Sequence, residues 1–360
     1  MSTSQNKDNF FLKLAFQQAE INLGSTSLNP SVGCVVVKND TIISSGRTSF
    51  NGRPHAEAIA LKKKKIHGSN IYITLEPCSH FGKTPPCVNN IINKKIHKVI
   101  FSINDIDSRS KNLAFSKFKK AKINVKKFIL KNYAKKFYKS YFLQFSKETP
   151  FIDAKLATSK DYLSINKKKK WITNDSSRKV GNFLRSKYDC ILSTSKTINI
   201  DNSLLDCRIE GLEQKSPAVI IVDRFFKIKK NLKIFKNKSR EIFIFTQTNN
   251  RLKEKFFNKI GVNIIKLKKS NNLKKDVSDV YFFLKQLGFN RILIESGIKY
   301  MNEVLKQNLI KNFYLFKSSI NLKKEGKNNT NSHLIRKLKI TYKNKVKINL
   351  YDDSLYRIQL

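Results

Sequence analysis

The 360-residue chain is poor in acidic residues, in cysteine and in long apolar segments. Five cysteines in a chain of this length do not make a disulfide framework, which excludes a small secreted scaffold. No apolar run approaches the ~18–20 residues of a membrane span. The N-terminal helical pattern is interrupted by Asp8 and Glu20, unlike a secretory signal. These absences predict a soluble, cytoplasmic protein without a membrane partner.

Basic residues are abundant, with 72 Lys and Arg against 26 Asp and Glu and a formal net charge of +46 at pH 7. Such an excess suggests nucleic-acid binding, because clustered cations release counterions from a phosphate backbone. The lysines, however, are scattered through nearly every segment and gather at helix ends and loops instead of along one stripe. We therefore predict no nucleic-acid partner. The alternative, a nucleic-acid-binding protein, requires an affinity for RNA that falls steeply with salt.

The chain is long enough for two domains, and the pattern of apolar residues restarts after a proline within 144–151. We place the domains at 1–146 and 147–360. In the first, apolar runs at 32–37 and 41–46 predict a hairpin, and strands then alternate with helices. This alternation predicts an α/β/α domain. Its further strands are expected at 71–75, 98–103 and 123–128, and its helices at 54–65, after Pro85, at 112–121 and at 130–143.

The second domain also mixes strands with helices, which again predicts an α/β fold. We expect the segment 323–332 to be a mobile loop. Strands are expected at 151–157, 190–193, 218–223, 241–246, 263–267, 291–296 and 312–317, with a closing pair at 347–351 and 355–360. Helices are expected at 174–186, 276–287 and 300–308.

Four residues of the first domain have the spacing of a catalytic zinc site. His55 and Glu57 stand at the start of a helix that Pro54 is expected to open at its first position. Cys78 follows a strand and a proline, and Cys87 lies in the first turn of the next helix. A helix N-terminus favours the thiolate form that zinc requires. One imidazole and two thiolates make three ligands, which leaves the fourth tetrahedral position for water.

An open position predicts chemistry, because zinc lowers the pKa of bound water towards ~7. Glu57 is two residues from the ligand His55, so it can take the proton of that water and deliver it to a departing amine. His-x-Glu followed by Pro-Cys is the arrangement of zinc deaminases. We therefore predict hydrolytic deamination of an amino-heterocycle. A scaffold protein with a structural zinc is the alternative, and Cys34, Cys190 and Cys207 are predicted to be small core residues.

The segments NPSVGCVVVK (29–38), PHAE (54–57) and LEPCSHFGKTPPC (75–87) resemble the deaminase half of the bifunctional riboflavin-biosynthesis deaminase/reductase family. Zinc deaminases that act on cytidine or on tRNA adenosine generally have two residues between the cysteines, whereas this sequence has eight. The resemblance implies a cytidine-deaminase-like fold with zinc as its cofactor. It also implies that the substrate is a diaminopyrimidinone ribosylamine 5′-phosphate.

The same resemblance implies roles for further residues of the first domain. His80 and Lys83, in the insertion between the cysteines, would hold the phosphate of the substrate. Asn29 would contact the pyrimidine, and Asp105 would contact the ribose side. Each has an ordinary alternative, as a turn residue, a loop acid or an exposed lysine.

The second domain resembles the reductase half of that family, which has a dihydrofolate-reductase-like fold and uses NADPH. The resembling segments are 150–161, 171–173, 184–198, 204–208, 219–223 and 292–297. By position, the residues implied to bind the dinucleotide are Ala157, Trp171, Thr197, Asp201 and Gly297. Those implied around the sugar phosphate are Arg185, Leu205, Arg208 and Glu295.

The implied function is zinc-dependent deamination of the pyrimidinone, followed by NADPH-dependent reduction of the ribosyl chain to give 5-amino-6-ribitylaminouracil 5′-phosphate. The family also implies a homo-oligomer, a dimer or a tetramer. The second domain departs from the family pattern at three positions, where a glycine is replaced by Tyr162, a serine by Lys169 and a proline by Ile298. A deaminase with a degenerate reductase domain therefore stays open as the alternative.

Overall fold

A computed structural model describes residues 3–63, 65–146, 149–237, 239–328, 330–331, 333–338 and 340–360. The chain divides into two compact units, Met1–Glu148 and Thr149–Leu360. The sequence placed the boundary between residues 146 and 147. Among the helices of the described residues, none is both long enough and apolar enough to cross a membrane.

The first unit is built around one mixed sheet. Its strands are β1 (Gly33–Lys38), β2 (Thr41–Arg47), β3 (Asn70–Ile73), β4 (Lys98–Phe101) and β5 (Asn124–Lys127). Its helices are α1 (Thr3–Ile21), α2 (Ala56–Ala60), α3 (Cys87–Asn93), α4 (Leu113–Lys120), α5 (Lys131–Phe137) and α6 (Lys139–Leu143). The strand order is β2-β1-β3-β4-β5. β1 is antiparallel to both of its neighbours, and β3, β4 and β5 are parallel.

Strand alternation gives this sheet two buried faces. On β1, Cys34 and Val36 belong to one apolar cluster, while Val35 and Val37 belong to another. Successive side chains of a strand point to opposite faces, so each face needs its own layer of helices. The residues of α1 cover the face of Val35 and Val37, and α2 covers the opposite face. The predicted α/β/α architecture is confirmed.

Helix α2 is shorter than the sequence predicts. It begins at Ala56 with His55 as its N-cap and ends at Ala60, so Pro54 stands before the helix and not at its first position. Lys62 follows in a turn. Consecutive lysines have no apolar side chain to pack on the sheet, and like charges one helical turn apart repel each other. The predicted helix at 54–65 was wrong at both ends, and the predicted helix at 130–143 is divided at Tyr138.

The second unit contains a larger sheet. The strands of this unit are β6 (Phe151–Thr158), β7 (Ile165–Asn166), β8 (Cys190–Thr194), β9 (Ala218–Val222), β10 (Ile242–Thr246), β11 (Val262–Lys266), β12 (Arg291–Ile294), β13 (Ile310–Lys317), β14 (Gly326–Lys327) and β15 (Ser354–Gln359). Its helices are α7 (Asp175–Arg185), α8 (Ser195–Asp201), α9 (Arg251–Lys259), α10 (Leu273–Gln286), α11 (Ile298–Lys306) and α12 (His333–Lys337). The large sheet has the order β11-β10-β9-β8-β12-β6-β13-β15. Within the part of this sheet that the structure describes, β15 is the only strand that runs antiparallel to its neighbour. β7 and β14 form a separate two-stranded sheet.

The large sheet is also buried on both faces. Cys190 and Leu192 of β8 belong to one cluster, and Ile191 belongs to the other. Parallel strands that are covered on both faces read as continuous apolar runs, as the sequence of these strands does. Because β6, β12 and β8 are adjacent and parallel, their carboxyl ends lie together at one edge of the sheet. Ligands of open α/β sheets bind at that edge.

Several expectations for the second unit were wrong. The segment 347–351 is not a strand, and β15 pairs with β13 instead. Leu350 of that segment is buried against Phe316, so its apolar character serves core packing. Within 323–332, β14 pairs with β7, while Asn329 and Ser332 lie outside the described residues. The helices α8, α9 and α12 were missed because each is short.

Gly46 of β2 allows α2 to approach the sheet closely. A Cβ atom at this position would lie 2.2 Å from the carbonyl oxygen of Ala56 and 2.8 Å from the backbone nitrogen of Ala60. Both contacts are with the backbone of α2, which cannot rotate away as a flexible side chain can. Any side chain at Gly46 therefore displaces the helix that begins beside His55.

We expect Gly46→Ala to lower the free energy of unfolding by about 1–3 kcal/mol, because the added methyl group overpacks the contact with α2. Chemical denaturation of both variants measures the change. Ser45→Ala is the control, because Ser45 is exposed on the same strand and should change stability by less than about 0.5 kcal/mol. Equal stability of the two variants would show that α2 does not need the glycine.

Candidate active site

The first unit brings three metal-binding side chains together. His55 Nδ1 lies 3.6 Å from the sulfur of Cys78 and 3.4 Å from the sulfur of Cys87. The three donor atoms all lie within 4.8 Å of one another, and no other group of this kind is found among the described residues. All five cysteines are free, and Cys34, Cys190 and Cys207 are buried in the cores, as predicted.

Three structural elements deliver these donors. His55 caps α2, Cys78 follows β3 after Pro77, and Cys87 is the first residue of α3, with Pro86 as its N-cap. The backbone N–H of Cys87 donates to the sulfur of Cys78 over 3.3 Å, and the N–H of Val88 donates to the carbonyl of Cys78 over 3.3 Å. The start of α3 is therefore fastened to the segment that follows β3.

The two thiols differ in acidity. Hydrogen bonds from the side chain of Cys87, from His55 and from the backbone of Cys87 lower the pKa of Cys78 to about 4. The hydrogen bond with Cys78, burial and the nearby Glu57 raise the pKa of the Cys87 thiol. Zinc takes both cysteines as thiolates, so metal binding releases whatever proton the pair still holds.

Glu57 is buried beside this cluster, with 4 % of its surface exposed. Burial and the negative charge of Cys78 raise the pKa of its carboxyl group to about 7. It follows His55 by two residues, so its carboxyl group reaches the cluster without being one of the three donors. The donor set fits zinc, because an imidazole nitrogen and two sulfurs are its preferred ligands and three protein ligands are the number found in catalytic sites.

The other predicted residues of this unit lie at different depths. The amide group of Asn29 donates to the carbonyl of Gly52 over 3.1 Å. His80 Nδ1 lies 2.8 Å from the hydroxyl of Ser110, and Lys83 is exposed on the insertion between the cysteines. Asp105 is buried, and its carboxylate accepts hydrogen bonds from the hydroxyl of Tyr141 and from a backbone N–H.

Sequence reasoning missed Arg53, which lies against the same insertion. Its guanidinium group donates to the hydroxyl of Thr84 over 2.5 Å. A Cβ atom on Gly82 would have Arg53 at 3.6 Å and His80 Nε2 at 3.7 Å as its nearest neighbours. Arg53 and His80 thus meet at Gly82, and Lys83 is the next residue in the chain. The signal was in the sequence, because Arg53 stands only two residues before the ligand His55.

In the second unit, predicted residues meet where β6, β8 and β12 end. Arg185 and Glu295 form a buried pair in which the Nε donates to one carboxylate oxygen over 2.7 Å and the Nη2 donates to the other over 3.0 Å. The Nη1 of Arg185 donates to Asn182 and to the carbonyl of Asp206. Burial alone would raise the pKa of Glu295, but Arg185 and Lys155 lower it to about 2.

Lys155 is the residue of this cluster that the sequence did not identify. Its Nζ lies 3.4 Å from a carboxylate oxygen of Glu295, and its side chain also acts electrostatically on Asp201. Lys155 and the predicted Ala157 are two residues apart on β6, so their side chains point to the same face. That spacing was the available signal.

The residues predicted to bind the dinucleotide lie in two places, some around the start of α11 and the end of α8 and the other at Trp171. The backbone N–H of Gly297 donates to the hydroxyl of Thr197 over 3.1 Å, and Gly297 is the N-cap of α11. Asp201 is the last residue of α8, and burial raises the pKa of its carboxyl group. Trp171 is half exposed, and its ring carries Lys170 at 5.1 Å and Arg178 at 5.2 Å from the ring centre.

This edge fits an anionic dinucleotide. The first turn of α11 leaves backbone N–H groups without partners in the helix, and such groups bind phosphate. A Cβ atom on Gly297 would lie 3.5 Å from the hydroxyl oxygen of Thr197. A side chain at this position would therefore fill the space in front of Thr197. Lys155, Lys170 and Arg178 supply positive charge around the same residues.

Leu205 and Arg208 lie in the loop that follows α8. Leu205 is buried with a φ of 53°, in the left-handed region, and its carbonyl accepts a hydrogen bond from Arg240 over 2.7 Å. Arg208 is more than half exposed and lies 3.2 Å from the carboxylate of Asp206. The loop therefore has one side chain in the core and one cation at the surface.

The three departures from the family pattern have structural explanations. Tyr162 keeps a φ of 63°, the left-handed conformation that a glycine adopts easily, and Lys317 lies 4.3 Å from the centre of its ring. Lys169 is exposed, and Asn166 accepts a hydrogen bond from its backbone N–H. Ile298 is buried as the first residue of α11.

Both units match known proteins. The cytidine and deoxycytidylate deaminase zinc-binding region matches residues 5–103, and the RibD C-terminal domain matches residues 150–348. The chain is 33% identical over 327 residues to the riboflavin biosynthesis protein RibD of Buchnera aphidicola subsp. Baizongia pistaciae, covering 86% of each chain. It is 31% identical over 313 residues to that of Aquifex aeolicus, again covering 86% of each.

Solved structures resemble the whole chain. A diaminohydroxyphosphoribosylaminopyrimidine deaminase/5-amino-6-(5-phosphoribosylamino)uracil reductase from Thermotoga maritima superposes with a TM-score of 0.81 at 26% identity and covers 99% of both chains. The RibD of Acinetobacter baumannii superposes with a TM-score of 0.82 at 23% identity, which shows the shared fold, and also covers 99% of both chains.

We expect Glu295→Gln to destabilise the second unit by about 3–5 kcal/mol, because it leaves the buried Arg185 without its charge partner. The single tryptophan, Trp171, lies in this unit, so denaturation followed by its fluorescence measures the change. Arg208→Gln is the control, since it removes an exposed ion pair worth at most about 1 kcal/mol. A loss no larger than that of the control would contradict a stabilising role for the buried pair.

The same pair predicts a pH dependence. The pKa of Glu295 in the folded state is about 2, below the ordinary value of about 4.3, so its contribution is fully present above pH 4.3. That contribution, about 3 kcal/mol, is lost as the pH falls through about 2. The stability difference between wild type and Glu295→Gln should therefore shrink between pH 4.3 and pH 2. A difference that stays constant over this range would show that Glu295 does not titrate in this way.

Proposed function

The chain belongs to the RibD family of riboflavin-biosynthesis proteins, and from that premise we propose which side chains carry out its two reactions. The protein is a bifunctional deaminase and reductase whose cofactors are zinc and NADPH. The observation that carries the proposal is the convergence of three metal donors beside the buried carboxyl group of Glu57.

We propose that the first unit deaminates a diaminopyrimidinone ribosylamine 5′-phosphate, the substrate type named for the Thermotoga maritima protein. His55, Cys78 and Cys87 would hold zinc, which acts as a Lewis acid and makes water nucleophilic near neutral pH. Glu57 takes one proton from the attacking water and delivers it to the amino group. The bond from carbon to nitrogen then breaks and ammonia leaves, while the ring keeps the oxygen and the second proton of the water.

The substrate is held by groups around the cysteine insertion. Arg53 and Lys83 supply the positive charge for a phosphate, while His80 and Thr84 add an imidazole and a hydroxyl group for hydrogen bonding. Guanidinium and ammonium groups make charge-assisted hydrogen bonds to phosphate oxygens. Asn29 is assigned to the pyrimidine, and Asp105 is assigned to the ribose side through the carboxylate oxygen that Tyr141 does not occupy.

The second unit reduces the ribosyl chain to a ribityl chain. NADPH supplies a hydride to C1′ when it is bound at Ala157, Trp171, Thr197, Asp201 and Gly297. The bond from C1′ to the ring oxygen breaks, and that oxygen must gain one proton. We assign the proton to Lys155, whose Nζ points into the cluster of predicted site residues beside Glu295.

The remaining residues of this unit position the sugar phosphate. The guanidinium group of Arg185 is already bonded to Glu295, so the two act as a fixed pair that lines the site. Arg208 is the exposed cation that meets the phosphate, next to the turn formed by Leu205. We also propose a reducing, cytoplasmic setting, because Cys78 and Cys87 must stay free to bind zinc. The predicted homo-oligomer stays a prediction.

We expect Glu57→Gln to keep one zinc ion per chain and to lower the rate of ammonia release from the diaminopyrimidinone phosphate by about 10²–10⁴-fold. The metal donors are unchanged, whereas the amide cannot carry the proton. Elemental analysis measures the zinc, and an ammonia assay measures turnover.

Asp8→Asn is the matched control, because Asp8 is an equally buried carboxylate of the same unit that bonds Tyr72 and Lys126. It should release ammonia at nearly the wild-type rate. Surviving turnover in Glu57→Gln would show that another group moves the proton.

We expect Lys155→Met to lower NADPH oxidation with the deaminated substrate by about 10²-fold or more, because the methionine cannot donate the proton. Absorbance of the reduced nicotinamide measures the rate, and ammonia release by the same sample should be unchanged. Lys160→Met, an exposed lysine just beyond β6, is the control. An unchanged rate in Lys155→Met would overturn this assignment, and no oxidation by the wild type would indicate a degenerate reductase.

A further inference from the structure

Glu76 is a buried carboxylate that takes no part in the proposed chemistry. It stands two residues before the metal donor Cys78, and only 3 % of its surface is exposed. Its Oε2 accepts hydrogen bonds from the backbone N–H groups of Asp105 over 3.0 Å and of Asn112 over 3.1 Å. Its Oε1 accepts one from the backbone N–H of Ala114 over 3.1 Å. A buried carboxylate is costly unless such donors satisfy it.

These three N–H groups belong to one stretch of chain. Asp105 and Asn112 lie in the loop of residues 102–112, which joins β4 to α4, and Ala114 lies in the first turn of α4. The negative charge of Glu76 therefore also lies at the N-terminal end of α4, where the helix dipole favours it. The carboxylate fastens this loop to the segment that carries Cys78.

The 102–112 loop in turn contacts the insertion between the cysteines. The hydroxyl of Ser110 accepts a hydrogen bond from the backbone N–H of Ser79 over 3.1 Å and lies 2.8 Å from His80 Nδ1. Just after the loop, the Nζ of Lys117 donates to the carbonyl of Ser79 over 2.8 Å. The loop thus carries Asp105 and also braces His80.

We propose that Glu76 is a positioning residue that sets the 102–112 loop, and with it Asp105 and His80, at the distance from the metal donors that the substrate requires. This inference rests on the proposed deamination, because Asp105 and His80 act only if that substrate binds here. Glu76 itself touches neither the metal donors nor the substrate. It acts through the backbone of the loop.

A carboxylate suits this role better than an amide. Two oxygens face three N–H donors, so both ends of the side chain must accept hydrogen bonds. A glutamine in the same place has one acceptor and one donor, and whichever way it turns, at least one N–H of the loop meets another N–H. The loop must then shift away, while the side chain keeps its size.

Glu76→Gln should raise the KM of the diaminopyrimidinone phosphate about ten-fold and change kcat much less, because one or two loop hydrogen bonds are lost. One zinc ion per chain should remain. Amide hydrogen exchange should be faster at residues 105, 112 and 114 than in the wild type. Asp8→Asn is the control for a buried carboxylate of the same unit, and it should leave KM and the exchange of these amides unchanged.

Ser110→Ala provides a second test that leaves the buried carboxylate in place. It should raise KM in the same direction, because His80 loses its contact with the loop. Equal KM values for wild type, Glu76→Gln and Ser110→Ala would overturn the inference. Loss of zinc from Glu76→Gln would also overturn it, because Glu76 would then support the segment that carries Cys78. If the wild type itself released no ammonia from this substrate, the proposed function would fail instead.

Discussion

The first unit depends on one close approach, that of the helix beginning after His55 to the strand that contains Gly46. This contact places the imidazole of His55 against two sulfurs that come from a different part of the chain. The cysteines are brought together separately, by the hydrogen bond from the backbone of Cys87 to the sulfur of Cys78. The metal donors are therefore assembled by backbone packing, and none of them needs a long or flexible side chain to reach its partners.

The buried glutamates of the two units, Glu57 and Glu295, have different electrostatic surroundings. Around the metal donors, negative groups are concentrated, and burial together with the charge of Cys78 raises the pKa of Glu57. In the second unit, the buried Glu295 is surrounded by Arg185 and Lys155, which lower its pKa. The first arrangement suits a group that accepts and releases protons near neutral pH, and the second suits a fixed charge that holds neighbours in place. The same residue type thus serves opposite purposes, and its surroundings decide which.

The excess of lysine does not by itself identify a functional surface. Many of these lysines are exposed, and several lie over aromatic rings, such as Lys127 over Phe115 and Lys317 over Tyr162. In these contacts the ammonium nitrogen lies 4.4 Å and 4.3 Å from the ring centre, where the electron-rich face of the ring attracts the positive charge. Two of the cationic groups with a proposed role were recognised only by their position in the fold: Arg53 beside the cysteine insertion and Lys155 beside Glu295.

The sequence by itself determined the fold class, the alternation of strands and helices, and the metal donors His55, Cys78 and Cys87, because these follow from local periodicity and short spacings. It did not determine where short elements begin and end, as α2, α8 and the segment 347–351 demonstrate, since marginal helices and edge strands form only when the rest of the fold buries them. Only the tertiary structure decided that Arg185 is bonded to Glu295 and that Lys155 joins them, because parallel strands far apart in sequence end at the same edge of the sheet. Glu76 is the clearest case. The sequence places it in the segment LEPC, but its hydrogen bonds reach a loop about thirty residues away, and no local pattern encodes that pairing.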